Sequence, residues 1–135
     1  MKFLVVPALF IAGVNAVIGI TFGDVPTDLT VGTDFNLTWT AHDATDSDTL
    51  QLNLTGYNTT VIRYDPGPLG LKIPVYDTRE VVLSEAVKLL DESYTWNVQP
   101  AEGDSVWTGN GFLYYFTVHF SNTVQNPKNS FQVNY

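Results

Sequence analysis

The segment Trp107-Thr108-Gly109-Asn110-Gly111-Phe112, followed by Tyr114-Tyr115, sets large aromatic rings beside a glycine-rich turn. Exposed aromatic faces can stack on sugar rings, and an amide such as Asn110 can hydrogen-bond hydroxyl groups. Trp107, Asn110, Phe112 and Tyr115 are therefore the candidate ligand-binding residues, and Tyr115 is the ring whose strand position directs it most plainly to solvent. The alternative for Trp107 and Phe112 is a place at the end of the core.

Other chemistry is thinly supplied. Hydrolysis of a glycosidic bond needs two carboxyl groups facing each other across a cleft. Asp91 with Glu92, Glu102 with Asp104, and Asp77 with Glu80 are the available acids, but all lie beside turns, where solvated carboxylates are ordinary. His42-Asp43-Ala44-Thr45-Asp46-Ser47-Asp48 gathers potential metal ligands, yet it lacks the spacing and turn glycine of a calcium-binding loop and reads as a solvated acidic connection. His42 and His119 are the only histidines, and there is no Gly-x-Ser-x-Gly elbow for a serine nucleophile. The absence of cysteine removes thiol catalysis and thiolate metal sites. No catalytic residue, metal site or cofactor is expected.

The elements that must carry the aromatic segment read as strands. Phe35, Leu37 and Trp39 alternate with Asn36, Thr38 and Thr40, the period-two pattern of a strand with one buried face. Leu50, Leu52 and Leu54 repeat it, as do Tyr94, Trp96 and Val98, and then Tyr114, Phe116, Val118 and Phe120. Turn chemistry at Val31-Gly32-Thr33-Asp34, Asp65-Pro66-Gly67-Pro68, Glu102-Gly103-Asp104 and Thr108-Gly109-Asn110-Gly111 separates ten short candidate strands. Val17 to Phe22 is the first of these. Gly56-Tyr57 is taken as a further break, dividing Thr49–Leu54 from Thr59–Tyr64. The pattern predicts an all-β antiparallel sandwich, with at most a short helical turn near Ser84–Leu90.

Residues 1–16 resemble a secretory signal peptide: Lys2, an apolar run from Phe3, and small residues at Val14 and Ala16. Residues 17–135 then form a single domain. A retained anchor is the rival reading, since apolar residues continue to Phe22, but the alternation of Ile18, Ile20 and Phe22 with Gly19 and Thr21 favours a strand. The final residues lack the hydrophobic tail of a lipid-anchor signal. The chain carries 14 acidic and 6 basic residues, for a net charge of −8. Nucleic acid and anionic lipid surfaces are poor partners for such a chain, and no stable membrane insertion is expected after cleavage. Cell-wall polysaccharide or an extracellular protein remains open. Sequons at Asn36-Leu37-Thr38, Asn53-Leu54-Thr55 and Asn58-Thr59-Thr60 fit the secretory route; alternation places Asn36 and Asn53 on outward faces, and Asn58 lies by the supposed turn.

Phe35-x-Leu37-x-Trp39 and Ser93-Tyr94-Thr95-Trp96 together resemble the B and F strands of an immunoglobulin-type sandwich, which face each other across the two sheets. The resemblance implies that Trp39 and Trp96 stand where the inter-sheet disulfide would be, with Tyr94 in the place of the conserved tyrosine. More narrowly, five segments resemble the amino-terminal immunoglobulin-like domain of the fungal cell-wall-synthesis family, Ser/Thr-rich and often lipid-anchored wall proteins linked to β-1,6-glucan assembly. They are Ile20-Thr21-Phe22, Val31-Gly32 with Phe35 to Trp39, Leu50-x-Leu52-x-Leu54, Ser93 to Val98, and Asn129-Ser130-Phe131-Gln132-Val133. That resemblance implies a secreted, non-enzymatic glycoprotein module in or near a fungal wall that binds or organises polysaccharide. A secreted factor engaging a host or cell-surface protein is the second expectation, and a glycoside-active enzyme the third.

Overall fold

The computed structural model describes residues 18–101, 107–127 and 129–135. The expected signal segment and the Glu102–Asp104 pair lie outside these residues. The chain is all-β. Its strands are β1 (Gly19–Phe22), β2 (Asp28–Thr30), β3 (Asp34–His42), β4 (Thr49–Pro66), β5 (Lys72–Lys88), β6 (Ser93–Asn97), β7 (Phe112–Phe120), β8 (Thr123–Gln125) and β9 (Gln132–Asn134). An antiparallel sheet of order β1-β3-β6 and another of order β5-β4-β7-β8 contribute to one core, and a short parallel pair, β2 with β9, completes the described strands.

The period-two faces behave as their spacing predicts. Leu37 and Trp39 of β3, Leu50, Leu52 and Leu54 of β4, Trp96 of β6, and Tyr114, Phe116 and Val118 of β7 are all buried. Phe35 and Trp96 reach across to Phe116, the first stacked at 6.1 Å between ring centroids and the second edge-on at 5.6 Å. Offset and edge-on ring contacts of this kind add to the burial of the rings themselves. Phe131 then packs on Tyr114, Phe116 and Trp96, so that the last strand closes the core.

Pairing departs from the expectation in one important respect. Strands β3 and β6 are hydrogen-bonded neighbours within a single sheet, with Phe35 opposite Trp96 and Leu37 opposite Tyr94. Neighbouring strands show the same face to the core, so Trp39 and Trp96 do not oppose each other as an inter-sheet disulfide would. Trp39 instead packs on Phe22 at 6.3 Å and donates its indole N–H to the Leu89 carbonyl at 2.9 Å. Tyr94 is half-buried and donates to the Leu83 carbonyl at 3.1 Å.

The supposed strand break at Gly56-Tyr57 is absent. Strand β4 runs unbroken for 18 residues, because Gly56 is a point of close approach rather than a turn: a Cβ there would lie 2.7 Å from Cε2 of Tyr114. Strand β5 follows it for 17 residues, from Pro66 opposite Lys72 to Thr49 opposite Lys88. That ladder takes the backbone of Ser84–Lys88, and only Leu89 and Leu90 of the expected helical turn enter a 3-10 turn, at Leu89–Asp91. Strand β8 was not foreseen. Its three residues are all exposed, and it is joined to β7 by Ser121 and Asn122, both at positive φ, the conformation a tight hairpin turn requires.

Candidate functional site

On the outer face of the four-stranded sheet, three tyrosines stand in a row across adjacent strands. Tyr57 of β4 lies opposite Thr78 of β5 and Leu113 of β7. Tyr76 and Tyr115 are each two residues from those partners, which makes them the diagonal same-face neighbours of Tyr57. Their ring centroids lie 5.7 Å (Tyr57 to Tyr76) and 6.1 Å (Tyr57 to Tyr115) apart, inclined by 59° and 62°. The inclined arrangement leaves parts of successive rings facing outward.

The row forms one wall of a groove of about 700 Å³, completed by Thr59, Thr78, Asn126, Pro127, Asn129 and Ser130. Asn129, at φ 74°, ties the far wall to the body by donating its side-chain amide to the Val25 carbonyl at 3.1 Å. Among the described residues the lining is made of aromatic, hydroxyl and amide groups with Pro127, without a carboxylate or a basic side chain. Such a surface can stack on and hydrogen-bond an uncharged polyhydroxyl ligand. It holds no pair of acids for glycosidic cleavage.

Three of the acids considered above are engaged elsewhere. Glu92 accepts a hydrogen bond from the Ala41 amide at 2.8 Å, Asp77 pairs with Arg79, and Glu80 accepts from Asn53 at 3.2 Å. In the acidic loop, Asp48 accepts from both the amide and the hydroxyl of Thr45, at 2.7 and 3.0 Å, and Asp46 pairs with Lys88 at 3.3 Å. A second, more polar depression of about 420 Å³ holds a single carboxylate, Glu85, together with His119.

Of the four candidate ligand-binding residues, the groove takes one, Tyr115. Trp107 is only 5 % exposed, with Phe112 packed at 5.0 Å and the Arg79 guanidinium 4.9 Å above its ring. The indole is thereby withdrawn from solvent, with half-buried Phe112 packed against it. Asn110 is exposed on its turn and does not line the groove. Tyr57 and Tyr76 were missed, although a signal for Tyr57 existed: the outward parity of Gln51, Asn53 and Thr55 continues to Tyr57 once Gly56 is read as part of the strand.

The sequons differ from one another. Asn36 is exposed, and its side-chain oxygen accepts from the Thr95 hydroxyl at 2.6 Å. Asn58 is half-buried beside the groove, its oxygen held by the Thr60 amide at 2.9 Å. Asn53 points away from the core as its parity requires, yet it is 4 % exposed and so corrects the expectation of an open site. It sits on a central strand, where Glu80 and Gln51 on the same sheet surface engage its amide.

No protein-family model matches the chain, and no curated protein does. Among solved structures the chain is similar to a β-glucosidase from Listeria innocua in complex with gluconolactone, with 15 % identity and a TM-score of 0.42 over 88 % of this chain and 16 % of that one.

Proposed function

We propose that this chain is a secreted, N-glycosylated, non-enzymatic module of the immunoglobulin-like sandwich class, which acts in or near a fungal cell wall by binding neutral polysaccharide. The observation that carries the reading is the row Tyr76, Tyr57, Tyr115 along a groove whose described lining offers hydroxyl and amide groups and no carboxylate or basic side chain. Stacking rings with flanking hydrogen-bonding groups are the equipment for holding an uncharged sugar chain.

The strand order supports the fold class. Orders β1-β3-β6 and β5-β4-β7-β8 correspond to A-B-E and C′-C-F-G in immunoglobulin-type lettering, which makes β7 rather than β6 the F strand. Tyr114 of β7 supplies the matching tyrosine: its hydroxyl donates to the Trp107 carbonyl, seven residues upstream, at 2.7 Å. That role passes from Tyr94 to Tyr114.

Retention on insoluble β-1,6-glucan, β-1,3-glucan and chitin tests the reading. Tyr57→Ala and Tyr115→Ala are each expected to weaken retention on the preferred polymer by about fivefold, the equivalent of about 1 kcal/mol per stacked ring. Lack of retention on every polymer, or variants that bind as well as the unaltered protein, would refute it.

A further inference from the structure

The β4–β5 hairpin outruns the sheet that supports it. Pairing of β4 with β7 ends at Asn58 opposite Phe112, whereas pairing with β5 continues to Pro66 opposite Lys72. Beyond the sheet it forms a two-stranded arm of roughly 20 Å at the usual rise per residue. Register shifts between Tyr57 and Arg63 mark the point of departure.

The arm's apolar residues face solvent. Leu69 at the tip is 100 % exposed, Leu71 64 %, Tyr64 61 % and Ile62 56 %. They are not confined to one face, because Tyr64 pairs with Pro74 while the adjacent Asp65 pairs with Ile73, and successive residues of a strand point to opposite sides. A ribbon laid flat on a protein surface needs one apolar face. A tip immersed in an apolar medium needs apolar residues all around.

Three further observations define the medium. Leu69 takes φ 56° and ψ 30°, a left-handed conformation that leucine rarely adopts, and it is followed by Gly70 at φ 76°. The tip is also poor in unpaired backbone donors: Pro66, Pro68 and Pro74 have none, the Gly67 amide donates to the Leu71 carbonyl at 2.7 Å, and the Leu71 amide to the Pro68 carbonyl at 3.0 Å. Hydrocarbon demands that economy of donors, and the same prolines interrupt the ladder a second copy would need for edge pairing. Finally, Arg63 and Asp65 pair with each other at 3.0 Å, so that the positive charge next to the tip is that of Lys72, although the chain as a whole carries −8.

We infer that the arm docks reversibly on a phospholipid bilayer. Leu69 and Leu71 enter the boundary between headgroups and acyl chains, Tyr64 lies at headgroup level, and Lys72 faces the phosphates. The unpaired edges of the ribbon confine entry to the tip. This surface is separate from the tyrosine groove and does not depend on it.

Flotation with phospholipid vesicles tests the inference, using protein recovered from a secreting host. The vesicles are pure phosphatidylcholine, or phosphatidylcholine with about one-fifth phosphatidylserine. The unaltered protein is expected to float with the vesicles. Leu69→Asp is expected to lower partitioning about tenfold or more, since it removes one buried leucine from the docked state. Lys72→Glu should weaken binding more on the mixture than on phosphatidylcholine alone, and Tyr57→Ala should leave it unchanged. An unaltered urea midpoint is expected for Leu69→Asp, because Leu69 is fully exposed, and Leu69→Gly provides a second variant free of added charge. Absence of flotation, or flotation indifferent to both Leu69 variants, overturns the inference. So does a concentration-dependent dimer that these variants dissolve without any lipid binding, which would assign the tip to a second copy.

Discussion

Replacing Tyr114 with phenylalanine removes one oxygen from a fully buried ring. That hydroxyl donates to the Trp107 carbonyl at 2.7 Å and accepts from the Ala101 amide at 2.9 Å, joining the two sides of the connection that leads from β6 to β7. The ring itself, stacked on Phe131 at 5.9 Å, keeps its place in the variant. Each lost hydrogen bond is worth about 1 kcal/mol net, and a buried group left without a partner costs about 1–3 kcal/mol. The Trp107 carbonyl belongs to a residue only 5 % exposed, so it stays dry, whereas half-buried Ala101 regains water in part. The expected loss is therefore about 2–3 kcal/mol, which lowers Tm by roughly 10 °C in a domain of this size. Urea unfolding followed by tryptophan fluorescence measures it, with Tyr115→Phe on the outer face as a control expected to fall within about 0.5 kcal/mol of the unaltered protein. An unchanged urea slope would confirm that only stability has moved. A loss below about 0.5 kcal/mol for Tyr114→Phe would show that the hydroxyl does not clasp the connection, and the reasoning would fail.

Gly56→Ala should cost about 1–3 kcal/mol in the same unfolding assay, because its Cβ would arrive 2.7 Å from the Tyr114 ring in a region with no room to yield. Trp107→Ala is expected to destabilise by about 3–5 kcal/mol as a core truncation, and glucan retention of whatever fraction stays folded should be unaltered. Peptide mapping of the protein expressed through a secretory pathway should find glycan on Asn36 and Asn58 and none on Asn53, since a sugar on that amide would have to replace its hydrogen bond to Glu80; glycosylated Asn53 in folded protein would contradict the packing.

The inward faces were legible because alternation records burial directly. Leu50, Leu52 and Leu54, or Tyr114, Phe116 and Val118, point inward whichever strand lies beside them. Partners were not legible, since a period of two states which side of a strand is apolar and nothing about its neighbour. Trp39 and Trp96 were thus assigned to facing sheets when β3 and β6 share one. Gly56 misled for a related reason: local propensity marks glycine as punctuation, whereas here a ring from β7 demands the missing side chain. The candidate site suffered most from that error. Breaking β4 at Gly56 hid the outward parity of Tyr57, and attention passed to Trp107, whose burial depends on Arg79 and Phe112 and so on tertiary packing alone. Tyr115 could be placed from its own strand, without knowledge of any neighbour.

The clamp at the end of the chain bears on when the domain can fold. Val31 donates to the Asn134 carbonyl at 2.7 Å, Gln132 to that of Thr27 at 2.8 Å, and Phe131 exchanges hydrogen bonds with Tyr114 at 2.8 and 2.9 Å. The residues that close the core on β2 and β7 are thus synthesised after both of the strands they close on. At roughly 5–20 residues per second, the apolar faces of β3 and β4 wait several seconds for their lid. Pairings this distant in sequence also form slowly. Folding is therefore completed only once residue 134 has cleared the translation machinery. In the interval before it, the aromatic strands depend on their surroundings to stay apart.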